Sequence, residues 1–323
     1  MTTSASFMKW WPRLAVALGA VLTVLLARTP DRPKDYLEKK YARPPSSFME
    51  LPGGARVHYR DRGRPIAPTL VLLHGSNSSL HTWEPWARVL SPALRVVTLD
   101  LPGHGLTGPV PGDDYSPDGM VPFVEAFRKK LGLSHFFLAG NSMGGNVAFR
   151  YTLAHPEVVD KLVLIDASGV NQFLPPGRQP EVPIGLKLIR MPVVNLVASW
   201  TTPRHFVEKS LRDVFVDQTL LTEEMIDRYY ELLLYPGNRR ATRLRAAAPV
   251  DLTAADRLGE IRVPTLILWG RADKLVPVEA AEIFHSRIPN SRVVVYDDVG
   301  HVPMEEAAAR SAADTLTFLA SQE

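Results

Sequence analysis

Seven short apolar runs, at 55–59, 69–73, 96–99, 136–139, 161–165, 265–269 and 292–296, set the rhythm of this chain, and each of the last six closes on Gly, Asp or His within a residue or two. Helix-like segments lie between several of them, at 118–131, 144–154, 278–287 and 305–320. Runs that are apolar on both faces and separated by helices demand a largely parallel sheet covered on both sides. Loops at the carboxyl ends of such strands carry the site. The fold class is therefore α/β. The stretch 169–249 breaks the rhythm with about eighty residues that offer no clean strand, an apolar helical segment at 184–200 and an acidic one at 222–234. That is too long for a simple loop, so it is expected to be a helical cap.

The run 136–139 leads into Gly140-Asn141-Ser142-Met143-Gly144-Gly145, and a helix pattern follows. This is a G-x-S-x-G strand–turn–helix, in which a sharp turn strains the serine backbone and the flanking glycines relieve the clashes. The serine oxygen is then exposed at the positive end of the next helix. A serine hydroxyl needs a base, and the base needs a third group to fix its tautomer. His301 follows the run 292–296, and Asp273 follows 265–269. Alone, His301 would read as a satisfied surface histidine and Asp273 as a helix cap. Together with Ser142 they sit past strand ends in the chain order Ser, Asp, His. Asp166, which also ends a strand run, is the alternative acid.

An oxyanion needs donors. The backbone N–H of Met143 is the first candidate, and that of Ser76, in His74-Gly75-Ser76-Asn77-Ser78, is the second. His74 is read as a structural hydrogen-bonding residue. Asp100 is expected to pin the turn Leu101-Pro102-Gly103-His104-Gly105, and His104 with it. Trp83, Phe173 and Leu186 fit a pocket lining and a core position equally well.

Charge excludes little. Lys and Arg number 37 against 34 Asp and Glu, a formal net charge of +3, with both signs mixed along the chain. No face-concentrated basic patch marks a nucleic-acid binder. The dense run Arg239-Arg240-Ala241-Thr242-Arg243-Leu244-Arg245 reads as a solvated helix face. The absence of cysteine rules out a thiol nucleophile and disulfides, and no His-x-x-x-His spacing suggests a metal.

Residues 14–27 read LAVALGAVLTVLLA, uncharged, after Lys9 and Arg13. A cleaved signal lacks a small-x-small site here, and a core helix would need a polar face. An uncleaved membrane anchor is the reading adopted, although fourteen residues fall short of the roughly 20 that span a bilayer. The expected organisation is an anchor or signal at 1–28, a tether at 29–47, a core at 48–168 and 250–323, and the cap at 169–249. It places the enzyme on a membrane with its catalytic domain periplasmic or otherwise extracytoplasmic.

These residues resemble the α/β-hydrolase superfamily from about Phe48 to the end. The likeness rests on the HG loop, D-x-P-G-x-G at Asp100 to Gly105, GNSMGG, GRAD ending at Asp273, and Gly300-His301. It is similar in particular to bacterial esterases and lipases that pair a hydrophobic N-terminus with GNSMGG. The resemblance implies an eight-stranded, mostly parallel sheet, a helical cap, no cofactor, and a small-molecule ester or acyl substrate. Dehalogenases and epoxide hydrolases of the superfamily use an aspartate where this chain has Ser142. Its carbon–carbon bond hydrolases share GNSMGG but typically have Trp after the catalytic His and a glycine-rich oxyanion loop. Here those positions hold Val302 and Ser76-Asn77-Ser78. Cofactor-free haloperoxidases share the triad. The expected activity is carboxylic-ester hydrolysis, with carbon–carbon bond hydrolysis or non-catalytic ligand binding as alternatives.

Overall fold

The computed structural model describes residues 28–178, 201–249 and 251–321. An eight-stranded sheet forms the centre, in the order β1-β2-β4-β3-β5-β6-β7-β8. The strands are β1 (Ser46–Glu50), β2 (Arg56–Arg62), β3 (Thr69–Leu73), β4 (Arg95–Leu99), β5 (Phe136–Asn141), β6 (Val159–Ile165), β7 (Thr265–Gly270) and β8 (Ser291–Tyr296). β2 runs antiparallel to β1 and β4, and every other pairing is parallel.

Central strands are buried throughout, TLVLL in β3 and TLILWG in β7. Their side chains alternate between two cores. Val71, Leu73, Ile267 and Trp269 enter one, and Leu70, Leu72, Leu266 and Leu268 enter the other. The first core is closed by α3 (Pro117–Leu131), α4 (Met143–Ala154) and α8 (Glu279–Arg287) through Phe127, Phe149 and Phe284. The second is closed by α2 (Glu84–Leu90) and α10 (Ala308–Ala320), where Trp86 donates its indole N–H to Ser311 at 2.8 Å. Each fully buried side chain of this size contributes about 1.5–3 kcal/mol.

The chain leaves the sheet between β6 and β7. The described part of this insertion carries α5 (Arg204–Val214), α6 (Glu223–Leu233) and α7 (Asn238–Ala247). Thr222 caps α6 by accepting from the Met225 N–H at 3.2 Å. The helical segment expected at 184–200, with Leu186, lies outside the described residues. The helix expected at 305–320 is divided at Ala307 into α9 (Pro303–Glu306) and α10.

Residues 29–47, expected as a tether, contain helix α1 (Lys34–Tyr41) and the start of β1. Leu37 is the reason: it is fully buried against Leu106, Leu232 and Tyr235. The amide of Arg32 donates to the carbonyl of Leu234 at 2.9 Å. Glu231 accepts from Lys40 and the Tyr41 hydroxyl, each at 2.7 Å. The segment therefore docks on the cap helix α6.

The expectation of a membrane-anchored, extracytoplasmic enzyme is corrected. No helix among the described residues is long and apolar enough to cross a membrane. The segment 14–27, on which the expectation rested, lies outside the described residues and is shorter than a bilayer core requires. Membrane association through it is withdrawn as well.

Candidate active site

Ser142 stands between β5 and α4 with φ 54° and ψ −116°. Positive φ is uncommon for a residue with a side chain, so this is a real backbone strain. The turn closes because its neighbours lack side chains. A Cβ on Gly144 would lie 2.2 Å from the Leu73 carbonyl oxygen, and one on Gly140 2.2 Å from that of Gly144. The Ser142 N–H donates to the Ile165 carbonyl at 2.9 Å, which ties the elbow to β6.

His301 and Asp273 meet behind it. The His301 Nδ1–H donates to Asp273 Oδ2 at 2.7 Å, and both side chains are buried. Asp273 is held in turn: its Oδ1 accepts from the Leu275 and Val276 amides at 2.7 and 3.1 Å. Donation from Nδ1 leaves His301 Nε2 as the acceptor of a proton. Asn141, just before Ser142, donates its side-chain amide to the His301 carbonyl at 3.0 Å. The two loops are thus fastened to each other. Among the described residues no hydrogen bond joins the Ser142 hydroxyl to the ring, and before substrate binds such bonds are often long.

The two residues expected to supply oxyanion donors touch through their side chains. The Ser76 hydroxyl is 3.6 Å from the Met143 sulfur, and a Cβ on Gly75 would come within 3.2 Å of Ser142 Cβ. Met143 opens α4, so its N–H has no intrahelical acceptor. His74 is fully buried between the Gly75 carbonyl at 2.8 Å and the Leu101 amide at 3.0 Å. Burial lowers its pKa, so it sits neutral, as a brace.

Asp100 pins its turn, with Oδ1 on the Leu80 amide and Oδ2 on the Leu106 amide. It also pairs with His58, a residue that no motif singles out. Asp166, the alternative acid, lies with Asp273 and His301, one ligand atom of each within 4.8 Å of the others. Trp83 is fully buried in the core, and Phe173 packs against the other core with the Arg287 guanidinium 3.5 Å above its ring. The arginine run is not simply solvated. Arg239 pairs with Asp31 and Arg240 with Asp113, while Arg245 turns inward to His104 and to Asn77 at 2.7 and 2.9 Å. Burial lowers the Arg245 pKa to about 10.

Two residues that sequence reasoning missed join the cap to the site. Glu305 accepts from Tyr229 at 2.6 Å and from Arg228 at 3.2 Å, both on α6, and from Thr82. Glu306 accepts from the amides of Val216 and Asp217, each at 2.7 Å, and from that of Gly300 at 2.8 Å. The His301 amide itself donates to Val214, the last residue of α5. A Glu-Glu pair four residues after a candidate base was the only available signal.

Residues 68–308 match the family model described as alpha/beta hydrolase fold, and the chain belongs to that family. It is a hydrolase. It is 32% identical over 278 residues to a 2-hydroxy-6-oxononadienedioate/2-hydroxy-6-oxononatrienedioate hydrolase of Pseudomonas putida, covering 82% of this chain and 91% of that protein. It is 29% identical to a 2-hydroxy-6-oxo-6-phenylhexa-2,4-dienoate hydrolase of Burkholderia cepacia, covering 82% and 92%. A crystal structure described as a membrane phospholipase A superposes with a TM-score of 0.70 at 27% identity, covering 98% of both chains.

Proposed function

We propose that Ser142, His301 and Asp273 act as nucleophile, base and orienting acid, and that the chain hydrolyses a bond to a carbonyl carbon. The observation that carries this reading is the 2.7 Å His301–Asp273 bond behind a serine held at φ 54°. Ser142 Oγ adds to the carbonyl while His301 Nε2 takes its proton, and Asp273 stabilises the imidazolium. The amides of Met143 and Ser76 receive the oxyanion. The imidazolium returns the proton to the leaving atom as its bond to the carbonyl carbon breaks. Water, deprotonated by the same ring, then releases the acid from Ser142.

For the leaving atom we take first the carbon of a bond beside a ketone. The two curated relatives, both named as hydrolases of 2-hydroxy-6-oxo acids, support it. An ester oxygen is the second reading. Val302 after His301 and the Ser76-Asn77-Ser78 loop favour it, as does the likeness to a phospholipase. The test compares kcat/KM on a vinylogous diketone acid with that on p-nitrophenyl esters, for wild type and Ser142→Ala. Preferential turnover of the diketone, lost on the order of 10⁴-fold in the variant, is expected. Ester turnover alone would replace the first reading by the second. Equal rates in both proteins would overturn the triad.

A further inference from the structure

Asp166 follows β6 as Asp273 follows β7. Its φ is 44°, in the left-handed region, and its side chain is fully buried. Oδ1 accepts from the Gly270 amide at 3.0 Å, and Oδ2 has no hydrogen-bond partner among the described residues. One ligand atom each from Asp166, Asp273 and His301 lie within 4.8 Å of one another. Two buried carboxylates this close do not both stay ionised. Donor number decides which one keeps the charge. Asp273 accepts two backbone amides and the imidazole N–H, whereas Asp166 accepts one amide. Burial and the Asp273 charge push the Asp166 pKa well above the carboxylate range, and Glu306, bound to the Gly300 amide, pushes the same way.

Resting on the triad reading above, we propose that Asp166 is a positioning residue, held as the neutral acid beside Asp273, and that it becomes the anion facing His301 when Asp273 cannot ionise. With Asp273 replaced by asparagine, the repelling charge is gone. Burial still favours the neutral acid, so the Asp166 proton leaves to solvent only at higher pH or as His301 becomes the imidazolium, and its carboxylate then sits beside the ring that must be stabilised. A buried acid kept at a strained backbone position, one strand from the working acid, gains a purpose on this account.

The test is a double-mutant cycle of Asp166→Asn and Asp273→Asn, with Ser142→Ala alongside. It reads kcat and KM against pH, fluorophosphonate labelling of Ser142, and folding by circular dichroism. Asp166→Asn is expected to lower kcat less than about tenfold in the wild-type background, but on the order of a hundredfold in the Asp273→Asn background. The Asp273→Asn enzyme is expected to show a kcat limb that rises with pH as Asp166 ionises, and the double variant to lack it. Where Asp166→Asn folds poorly, Asp166→Gly suits the positive φ and also removes the carboxyl. An equal loss in both backgrounds would overturn the proposal, as would single and double Asp273 variants with the same rate and pH profile. Full activity in Ser142→Ala would instead sink the triad itself.

Discussion

Two buried histidine–carboxylate pairs of the same length sit in this molecule. His301 meets Asp273 at 2.7 Å, and His58 meets Asp100 at 2.7 Å, each through Nδ1 and Oδ2. Both aspartates also gather two backbone amides. The far side of the ring separates them. His58 Nε2 is 2.9 Å from the Ser46 hydroxyl, so both nitrogens are engaged and the ring is a rivet between β1, β2 and the Asp100 turn. His301 Nε2 has no partner among the described residues, on a loop fastened to the serine elbow. A His–Asp pair therefore does not by itself define a site. On the reading proposed above, a second nitrogen without a partner among the described residues, on a loop fastened to that of a half-buried, strained serine, does.

The largest expected effect breaks the comparison by exchanging equivalent residues. His301→Gln should lower kcat/KM on the order of 10⁴-fold with little change in the thermal midpoint. His58→Gln should leave kcat per folded molecule largely intact and cost about 1–3 kcal/mol of stability. Parallel kinetics and urea unfolding check both, and a His58 variant that is folded but inactive would erase the distinction.

A smaller effect is expected at Asp100. Asp100→Asn puts an amide where three donors converge and should cost about 3–5 kcal/mol in urea unfolding. Burial alone would raise the Asp100 pKa, but the charge and hydrogen bond of His58 outweigh it and hold it below the ordinary carboxylate value. A depressed acid stabilises the fold above its unfolded pKa and ceases to do so as pH falls towards the folded one. The variant's deficit should therefore shrink on acidification below about pH 4.

The smallest effect is a slope. His81 packs beside His58, and burial together with the Arg60 charge pushes its pKa down to about 3. Its folded pKa lies below the unfolded one, so the unfolded state binds the extra proton. Its share of stability is complete above about pH 6.5 and lost at about 1.4 kcal/mol per pH unit on the way down. His81→Gln should flatten the stability-versus-pH curve between about pH 6 and 4 by that amount. An unchanged slope would show that His81 takes up its proton without unfolding.

The contrast also shows what the sequence could disclose. β3, β4 and β5 were legible because strands buried on both faces read as unbroken apolar runs that stop at turn residues. Ser142 and Asp273 were legible as candidates because each follows such a run, and His301 because it follows the apolar run of the edge strand β8. β1 was not, since SSFME is a half-exposed edge strand. Nor was α1, whose KDYLEKKY offers one buried residue, Leu37, and a partner surface about two hundred positions away. His58 was silent for the same reason: its partner Asp100 lies 42 residues off, and nothing local distinguishes it from an ordinary strand residue. Asp166 was visible as an alternative to Asp273, but not as its neighbour. Only the pairing of β6 with β7 brings the two together.

Helix α1 carries a practical lesson for anyone trimming this protein. Cutting the chain back to the first residue of β1 would leave the Leu106–Leu232–Tyr235 socket bare and Glu231 without its lysine and tyrosine. The cap would then be hinged on its remaining moorings, with a greasy hole in its rim. Thr29 and Asp31 also hold Arg239, so purification handles and fluorescent labels belong upstream of Arg28 or at the opposite end of the chain.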